Sequence, residues 1–336
     1  MPPSRSSSER LTGAWRERGL AALLLLPLGA AFFLLARLRR LAYRRGWLVA
    51  QRLPVPVVVV GNIVAGGAGK TPLTLWLAQR LRAAGRHPGI VLRGYGRAGS
   101  ETRKVGVGDT ARQVGDEALL LALRSASPVF VGADRAAAAQ ALLQSHPECD
   151  VILCDDGLQH YRLQRDLEIA VIDRRGWMNG WPLPAGPLRE PVSRLREVDA
   201  LVLNDAPPPE SAAPAFTMRL QGSRFRLLAA PEQTCEAQDL ARLRLHAVAG
   251  IGEPARFFDH LASLGLQCVP HAFPDHHAYV TADLDFPGDA ILMTEKDALK
   301  CRGLARLPVW VLPVDAVIEP DLARFVLEKL DGCAPA

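Results

Sequence analysis

At 336 residues, 49% hydrophobic and 22% charged, the chain is long enough for one large domain or two ordinary ones with ample core. The net charge is +5, but residues 1–53 carry ten Arg against two acids, about +8, which leaves about −3 for the remainder. The basic excess therefore belongs to the N-terminal segment, which argues against a nucleic-acid-binding body and for an anionic membrane surface beside the N-terminus. The six cysteines (Cys149, Cys154, Cys235, Cys268, Cys301 and Cys333) form no C-x-x-C pair, so they read as free thiols of a reducing compartment and offer no zinc spacing.

The first element is "GLAALLLLPLGAAFFLLA", residues 19–36, eighteen positions without a charge. As a helix it would be about 27 Å long, just short of a ~30 Å hydrocarbon layer, and Pro27 would kink it. Arg16 and Arg18 precede it; Arg37, Arg39, Arg40, Arg44 and Arg45 follow, and Trp15, Tyr43 and Trp47 flank it as interface anchors do. No small-residue cleavage site precedes the arginines, which argues against a secretory signal. Residues 1–53 are thus expected to form a membrane-associated segment, either a spanning helix with the body on the cytoplasmic side or a kinked helix lying in the inner leaflet.

Beyond Pro54, apolar runs at 57–60, 90–92, 129–131, 151–154, 169–172 and 200–203 alternate with helical patterns such as "TPLTLWLAQRLRAAG" and "RAAAAQALLQS". That alternation predicts a mostly parallel sheet covered by helices on both faces, an α/β/α sandwich of the P-loop NTPase type. The stretch "DAPPPESAAPA", residues 205–215, reads as a linker or exposed connection. Antiparallel-looking strands around 216–220 and 225–228 follow, then further α/β units. The expected division is a larger α/β unit over 54–205 and a second, smaller α/β domain over 206–336.

"VVVVGNIVAGGAGKTPL" (57–73) runs from strand through a glycine turn into Gly-Lys-Thr and a helix, the context of a phosphate-binding loop. The strict pattern G-x-x-x-x-G-K-[ST] would place a glycine where Val64 stands. Gly66, Gly67 and Gly69 let backbone N–H groups face phosphate oxygens, and the following helix adds its positive end. Lys70 would reach the β- and γ-phosphates, and Thr71 would place its hydroxyl on Mg2+. Only five of the 40 basic residues are lysines, so Lys70 is not a casual choice of cation.

"DVILCDDGLQH" ends an apolar strand in Asp155 and Asp156, which resemble a magnesium-holding pair beyond a strand's carboxyl end. "VGDEALLLAL" puts Asp116 and Glu117 in the first turn of a helix, where acids also serve the helix dipole alone. "FPDHHAY" carries Asp275, His276 and His277 in a loop, a pattern that fits acid–base chemistry. "GYGR" and "LPAGPLRE" carry Tyr95, Arg97, Arg189 and Glu190 on loops that either hold an anionic substrate or are only turns.

The order of these motifs, with "GIGEPARFF" and "MTEKDALKC", resembles the tetraacyldisaccharide 4′-kinase family over most of the chain. The family's loop has the form G-N-x-x-x-G-G-x-G-K-T, so Val64 is a family form. The resemblance implies transfer of the γ-phosphate of ATP to the 4′-hydroxyl of a tetraacylated glucosamine disaccharide 1-phosphate, giving lipid IV-A at the cytoplasmic face of the bacterial inner membrane. It also implies two α/β/α domains joined by a hinge, and ATP and Mg2+ as cofactors.

Carried over by motif, Gly61, Asn62, Gly66, Gly67, Ala68, Gly69, Lys70 and Thr71 form the nucleotide loop. Asp116 becomes the general base, with His276, in preference to His277, as its partner. Glu117, Asp155 and Asp156 join Thr71 around the metal, and Tyr95, Arg135 and Arg189 serve the lipid headgroup and its 1-phosphate. The implied partners are the membrane-embedded lipid and anionic inner-leaflet lipids, with neither nucleic acid nor an obligate protein partner. A membrane-attached P-loop switch or assembly GTPase is the alternative; its base-reading N-K-x-D motif has only "TEKD", 294–297, as a counterpart.

Overall fold

The computed structural model describes residues 13, 15–210 and 213–332, so Cys333 lies outside the described residues. Among the described residues fifteen strands form two sheets. In chain order they are β1 (Val57–Gly61), β2 (Pro88–Leu92), β3 (Arg103–Lys104), β4 (Val129–Val131), β5 (Val151–Asp155), β6 (Leu167–Asp173), β7 (Ala200–Asn204), β8 (Ala215–Gln221), β9 (Arg224–Leu227), β10 (Ala230–Glu236), β11 (Leu245–Ala249), β12 (Cys268–Ala272), β13 (Ala290–Thr294), β14 (Val309–Leu312) and β15 (Asp315–Glu319).

The larger sheet has the order β15-β8-β7-β6-β1-β5-β2-β4-β3. Its strands from β8 to β4 run parallel, and short antiparallel strands close both edges. β1, β2, β5, β6 and β7 are buried along their whole length, which is why they are continuous apolar runs and not alternating ones. One face carries the helices Lys70–Ala83, Asp116–Arg124 and Leu322–Asp331, through Leu73, Leu77, Leu121, Leu322 and Val326. Helix Arg135–Ser145 covers the other, through Ala136, Ala139 and Leu142. Each fully buried Val or Leu contributes roughly 1.5–3 kcal/mol, so these two clusters hold the frame that aims the loops.

The smaller sheet, β10-β9-β14-β13-β11-β12, is parallel from β14 to β12, with β9 and β10 antiparallel at one edge. It is not coextensive with the expected 206–336 unit. β8 pairs with β7, β15 pairs with β8, and Ala316, Ile318, Leu322 and Val326 sit in the core of the larger sheet. The proline-rich stretch after Asn204 is largely exposed, as expected, but it joins neighbouring strands of one sheet. The chain crosses to the smaller sheet between β8 and β9 and returns between β14 and β15. The strand around 216–220, expected to be antiparallel, is parallel to β7 and antiparallel only to β15.

The N-terminal apolar stretch is not one helix. It divides into Leu20–Leu24 and Leu26–Arg44, with Pro27 in the first turn of the second, where its missing N–H costs nothing. Among the described residues no helix is long and apolar enough to cross a membrane. Two of the three aromatic anchors face protein. Trp15 is buried and its Nε1 donates to the Pro184 carbonyl at 2.9 Å, while Tyr43 packs on Tyr161. Arg40 and Arg44 pair with Glu197. Trp47 and a row of leucines, including Leu20, Leu24, Leu28 and Leu35, remain exposed.

Candidate functional site

The larger sheet presents the carboxyl ends of β1, β5 and β6 to a cleft of about 2930 Å³ that also reaches the smaller sheet and helix Leu26–Arg44. The glycine-rich loop between β1 and helix Lys70–Ala83 lies at its floor. Gly66, Gly67 and Lys70 line the cleft, whereas Gly61, Asn62, Ala68, Gly69 and Thr71 are not among its lining residues. Asn62 is buried, and its side chain spans the loop: Nδ2 donates to the Gly66 carbonyl at 3.4 Å and Oδ1 accepts from Lys70 Nζ at 3.4 Å. Lys70 Nζ also donates to the Gly66 carbonyl at 3.3 Å, so loop and lysine brace each other.

β5 delivers the two acids in different ways. Asp155, still in strand register, is buried; its carboxylate accepts from Thr71 Oγ1 at 2.9 Å and Thr74 Oγ1 at 3.2 Å. Burial raises its carboxyl well above the usual range, and the nearby Glu117 adds to the rise. Asp156 then turns the chain at φ +50°. Its carboxylate accepts two bonds from Arg189 Nη1 at 2.9 and 3.0 Å and lies 3.6 Å from Lys70 Nζ. Burial alone would raise its pKa, but Lys70 and Arg189 outweigh it and hold the group at about 2. Arg135 is buried, donates to the Asp156 carbonyl at 3.4 Å, and has its proton affinity lowered by burial.

Asp116 opens helix Asp116–Arg124 and is buried. The preceding Gly115 has φ +92°, and a Cβ there would lie 2.9 Å from the Tyr95 carbonyl oxygen, so the "GYGR" and "VGDE" loops meet backbone to backbone. Across the cleft, the loop after β12 turns at His276 with φ +61°. Its Nδ1 lies 2.9 and 3.1 Å from the two Asp116 carboxylate oxygens. For Asp116 burial acts upward, yet His276, Lys296 and Lys300 prevail and lower its pKa. For His276 burial acts downward, yet Asp116 prevails and raises it. The Tyr95 ring covers His276 with centroids 4.8 Å apart. His277 faces away and meets Asp283 Oδ2 at 2.9 Å, so of the two histidines it is His276 that pairs with Asp116.

The structure therefore brings most of the sequence-derived candidates to one cleft or directly behind it; the exceptions are His277, which pairs with Asp283, and Arg97, which donates to the Glu101 carbonyl. Sequence reasoning missed the supporting residues. Arg175 Nη2 donates to the Gly67 carbonyl at 3.0 Å while its Nε holds Asp173 at 2.8 Å. Asn204 Nδ2 donates to the Ala68 carbonyl at 2.9 Å and its Oδ1 accepts from Arg256 at 2.7 Å. Lys296, in "TEKD", reaches Asp275 at 3.1 Å and Glu117 at 3.3 Å. The available signal was lysine scarcity, since Lys70, Lys296 and Lys300 are three of only five lysines. Asp297 is fully buried, accepting from the Gly250 N–H at 2.9 Å and pairing with Lys300 at 3.0 Å. It is thereby closed to a nucleotide base, which removes the footing of the GTPase alternative.

The donor set bears directly on whether magnesium fits. Among the described residues no group of three or more His, Cys, Asp or Glu sides forms a preassembled metal cage. Mg2+ does not need one: it is commonly held by one or two carboxylates plus substrate phosphates and water. The Thr71 hydroxyl beside a buried, under-compensated Asp155 supplies hard oxygen donors of that kind. The five cysteines among the described residues are free; burial pushes Cys149 and Cys154 up to about 11, which leaves them unreactive thiols.

Comparison with known proteins agrees with this geometry. The family model for tetraacyldisaccharide-1-P 4′-kinase matches residues 21–331. A tetraacyldisaccharide 4′-kinase of Azoarcus sp. is 53% identical over 339 residues, covering 100% of this chain and 99% of its own length. That of Dechloromonas aromatica is 54% identical over 321 residues, covering 94% and 95%. A crystal structure of "apo" form LpxK from Aquifex aeolicus in complex with ATP superposes with a TM-score of 0.79 at 28% identity, covering 93% of this chain and all of that one. With a family model spanning nearly its whole length and relatives above 50% identity, the chain belongs to the tetraacyldisaccharide-1-P 4′-kinase family.

Proposed function

We infer that this chain is an ATP-dependent kinase of lipid A biosynthesis. It transfers the γ-phosphate of ATP to the 4′-hydroxyl of a tetraacyldisaccharide 1-phosphate and so makes lipid IV-A. The observation that carries the reading is the convergence on one cleft of the braced Gly66–Lys70 loop and His276, whose imidazole is paired with Asp116 directly behind the lining.

Phosphoryl transfer asks a protein mainly for positioning and for stabilisation of spreading charge. Lys70 and the loop N–H groups bind the β- and γ-phosphates. Asp116 accepts the proton of the 4′-hydroxyl as it attacks, and His276 orients that carboxylate and keeps it ionised. Thr71, Asp155, Asp156 and Glu117 are the groups that would hold Mg2+; when bound, the ion supplies neutralisation of β/γ charge. Arg189 and Arg135 offer cationic groups to the acceptor's 1-phosphate, and Tyr95 a flat face to its sugar.

The acceptor carries acyl chains, and each buried methylene is worth about 0.8 kcal/mol. A kinase that works where the lipid lies avoids extracting it. The exposed leucines of the N-terminal helices and the arginines beside them support attachment to the inner leaflet, at the cytoplasmic face of the inner membrane, by a helix lying in the interface. The two chain crossings beside β8 and β15 are the natural place for a hinge between the sheets. The test of the function is an assay with ATP, magnesium and the acceptor in mixed micelles. Phosphate is expected on the 4′-hydroxyl, and preference for GTP or absence of transfer would contradict the reading.

A further inference from the structure

Helix Glu295–Ala298 starts where β13 ends, and its first turn is tied down before any function is considered. Thr294 Oγ1 accepts from the Asp297 N–H at 3.2 Å and donates to Asp297 Oδ2 at 2.7 Å. This rigid turn aims Lys296 across the seam between the sheets. Its Nζ lies 3.1 Å from Asp275 Oδ1, 3.3 Å from Glu117 Oε1, 3.5 Å from His276 Nε2 and 3.9 Å from Asp116 Oδ2. One ammonium thus meets two neighbours on the larger sheet's side and two on the smaller sheet's side. It is absent from the residues lining the cleft. Burial works against its charge, but Glu117, Asp116 and Asp275 outweigh burial and raise its proton affinity.

We propose that Lys296 is a positioning residue of the kinase reaction, holding Asp116 and His276 in register across the seam between the two sheets. A compact ammonium with three donors can satisfy acceptors in several directions at once, which a planar guanidinium cannot. An ammonium has no acceptor to offer, so facing Nε2 it favours the imidazole that carries its proton on Nδ1, toward Asp116. Glu117 and Asp275 draw the two loops together through the same cation. Without it, the like charges of Asp116, Glu117 and Asp275 face one another, and the pair loses its alignment.

The inference rests on Asp116 and His276 being the acid–base pair, and the experiment separates the two. Full-length protein is assayed with ATP, magnesium and lipid acceptor as wild type, Asp116→Ala, His276→Ala, Lys296→Met, Lys296→Arg and the His276→Ala/Lys296→Met double variant. Misplacement of a catalytic group by about 1 Å costs on the order of 10²-fold. Lys296→Met is therefore expected to lose about that factor in kcat with KM for ATP unchanged, and Lys296→Arg, whose planar fork cannot reach all four neighbours at once, to recover only part of it. In the His276→Ala background the same change should add little further loss. Unchanged kcat in Lys296→Met, a loss carried by KM alone, or a double variant whose losses multiply would overturn the proposal. Undiminished turnover in Asp116→Ala would instead overturn the acid–base reading itself. Thermal melting reports folding, and if Lys296→Met does not fold, Lys296→Gln is read by the same criteria.

Discussion

His276 adopts a left-handed backbone conformation that costs a non-glycine residue about 1–3 kcal/mol, and the same strain marks Asp156 on the opposite wall of the cleft. Both side chains are held by charge: His276 by Asp116, Asp156 by Arg189 and Lys70. The sign of the His276–Asp116 coupling fixes a pH dependence of stability. The histidine's pKa is raised above its ordinary 6.5, so its contribution is complete below 6.5 and fades as pH climbs through the folded value. The aspartate's is lowered below 3.8, so its contribution is complete above 3.8 and fades as pH falls through the folded value. The urea midpoint gap between wild type and His276→Ala should accordingly be wider at about pH 5.5 than at about pH 9. An equal gap at both would show that the two groups do not interact in the folded protein. At this scale the sequence announced Lys70, Asp155 and Asp156, because strand and loop context defines their chemistry. It could not separate Asp116 from an ordinary dipole-complementing acid, since that distinction depends on a histidine 160 residues away.

Elements meet here through glycines. Gly115 lets one loop lie on another: a Cβ would meet the Tyr95 carbonyl, and φ +92° is strained for any other residue. Gly115→Ala is expected to cost about 1–3 kcal/mol, read as a lower urea midpoint, and to displace Asp116. Gly252, in "GIGEPARFF", approaches the nucleotide loop so closely that a Cβ would lie 2.9 Å from the Gly67 nitrogen. Gly252→Ala should leave the melting temperature nearly unchanged while raising KM for ATP, because the added methyl separates the two loops. An unaltered KM would mean that this contact is not kept in the nucleotide complex. The central strands were legible as unbroken apolar runs. β15 was not: in "DAVIE" only Ala316 and Ile318 turn inward, and nothing local states which of two sheets they will join.

The whole molecule gathers apolar and charged groups in one cleft. Its lining runs from Phe32 and Leu35 on the N-terminal helix to Lys70, Asp156 and His276. Composition made the basic, apolar N-terminus obvious, but not that Tyr43, Arg40 and Trp15 would be spent on docking that segment to the body. The leucines left over are the expected membrane face. The protein should float with vesicles containing anionic lipid, and replacing Leu20, Leu24 and Leu28 by Glu should release it without altering ATP binding. Flotation unaffected by the three changes would place the contact elsewhere.

In the proposed reaction a carboxylate–imidazole pair assembled between the two halves of the molecule activates a lipid hydroxyl toward a nucleotide held by the Gly66–Lys70 loop. The most direct measurement compares wild type with Asp116→Ala for phosphate transfer from ATP to tetraacyldisaccharide 1-phosphate, with ATP binding measured in parallel. Transfer by the wild type is expected, with a loss of at least about 10²-fold in kcat for the variant, the lower end of general-base contributions, and ATP affinity retained. Equal turnover by the two proteins, or no transfer to the 4′-hydroxyl by either, would contradict it.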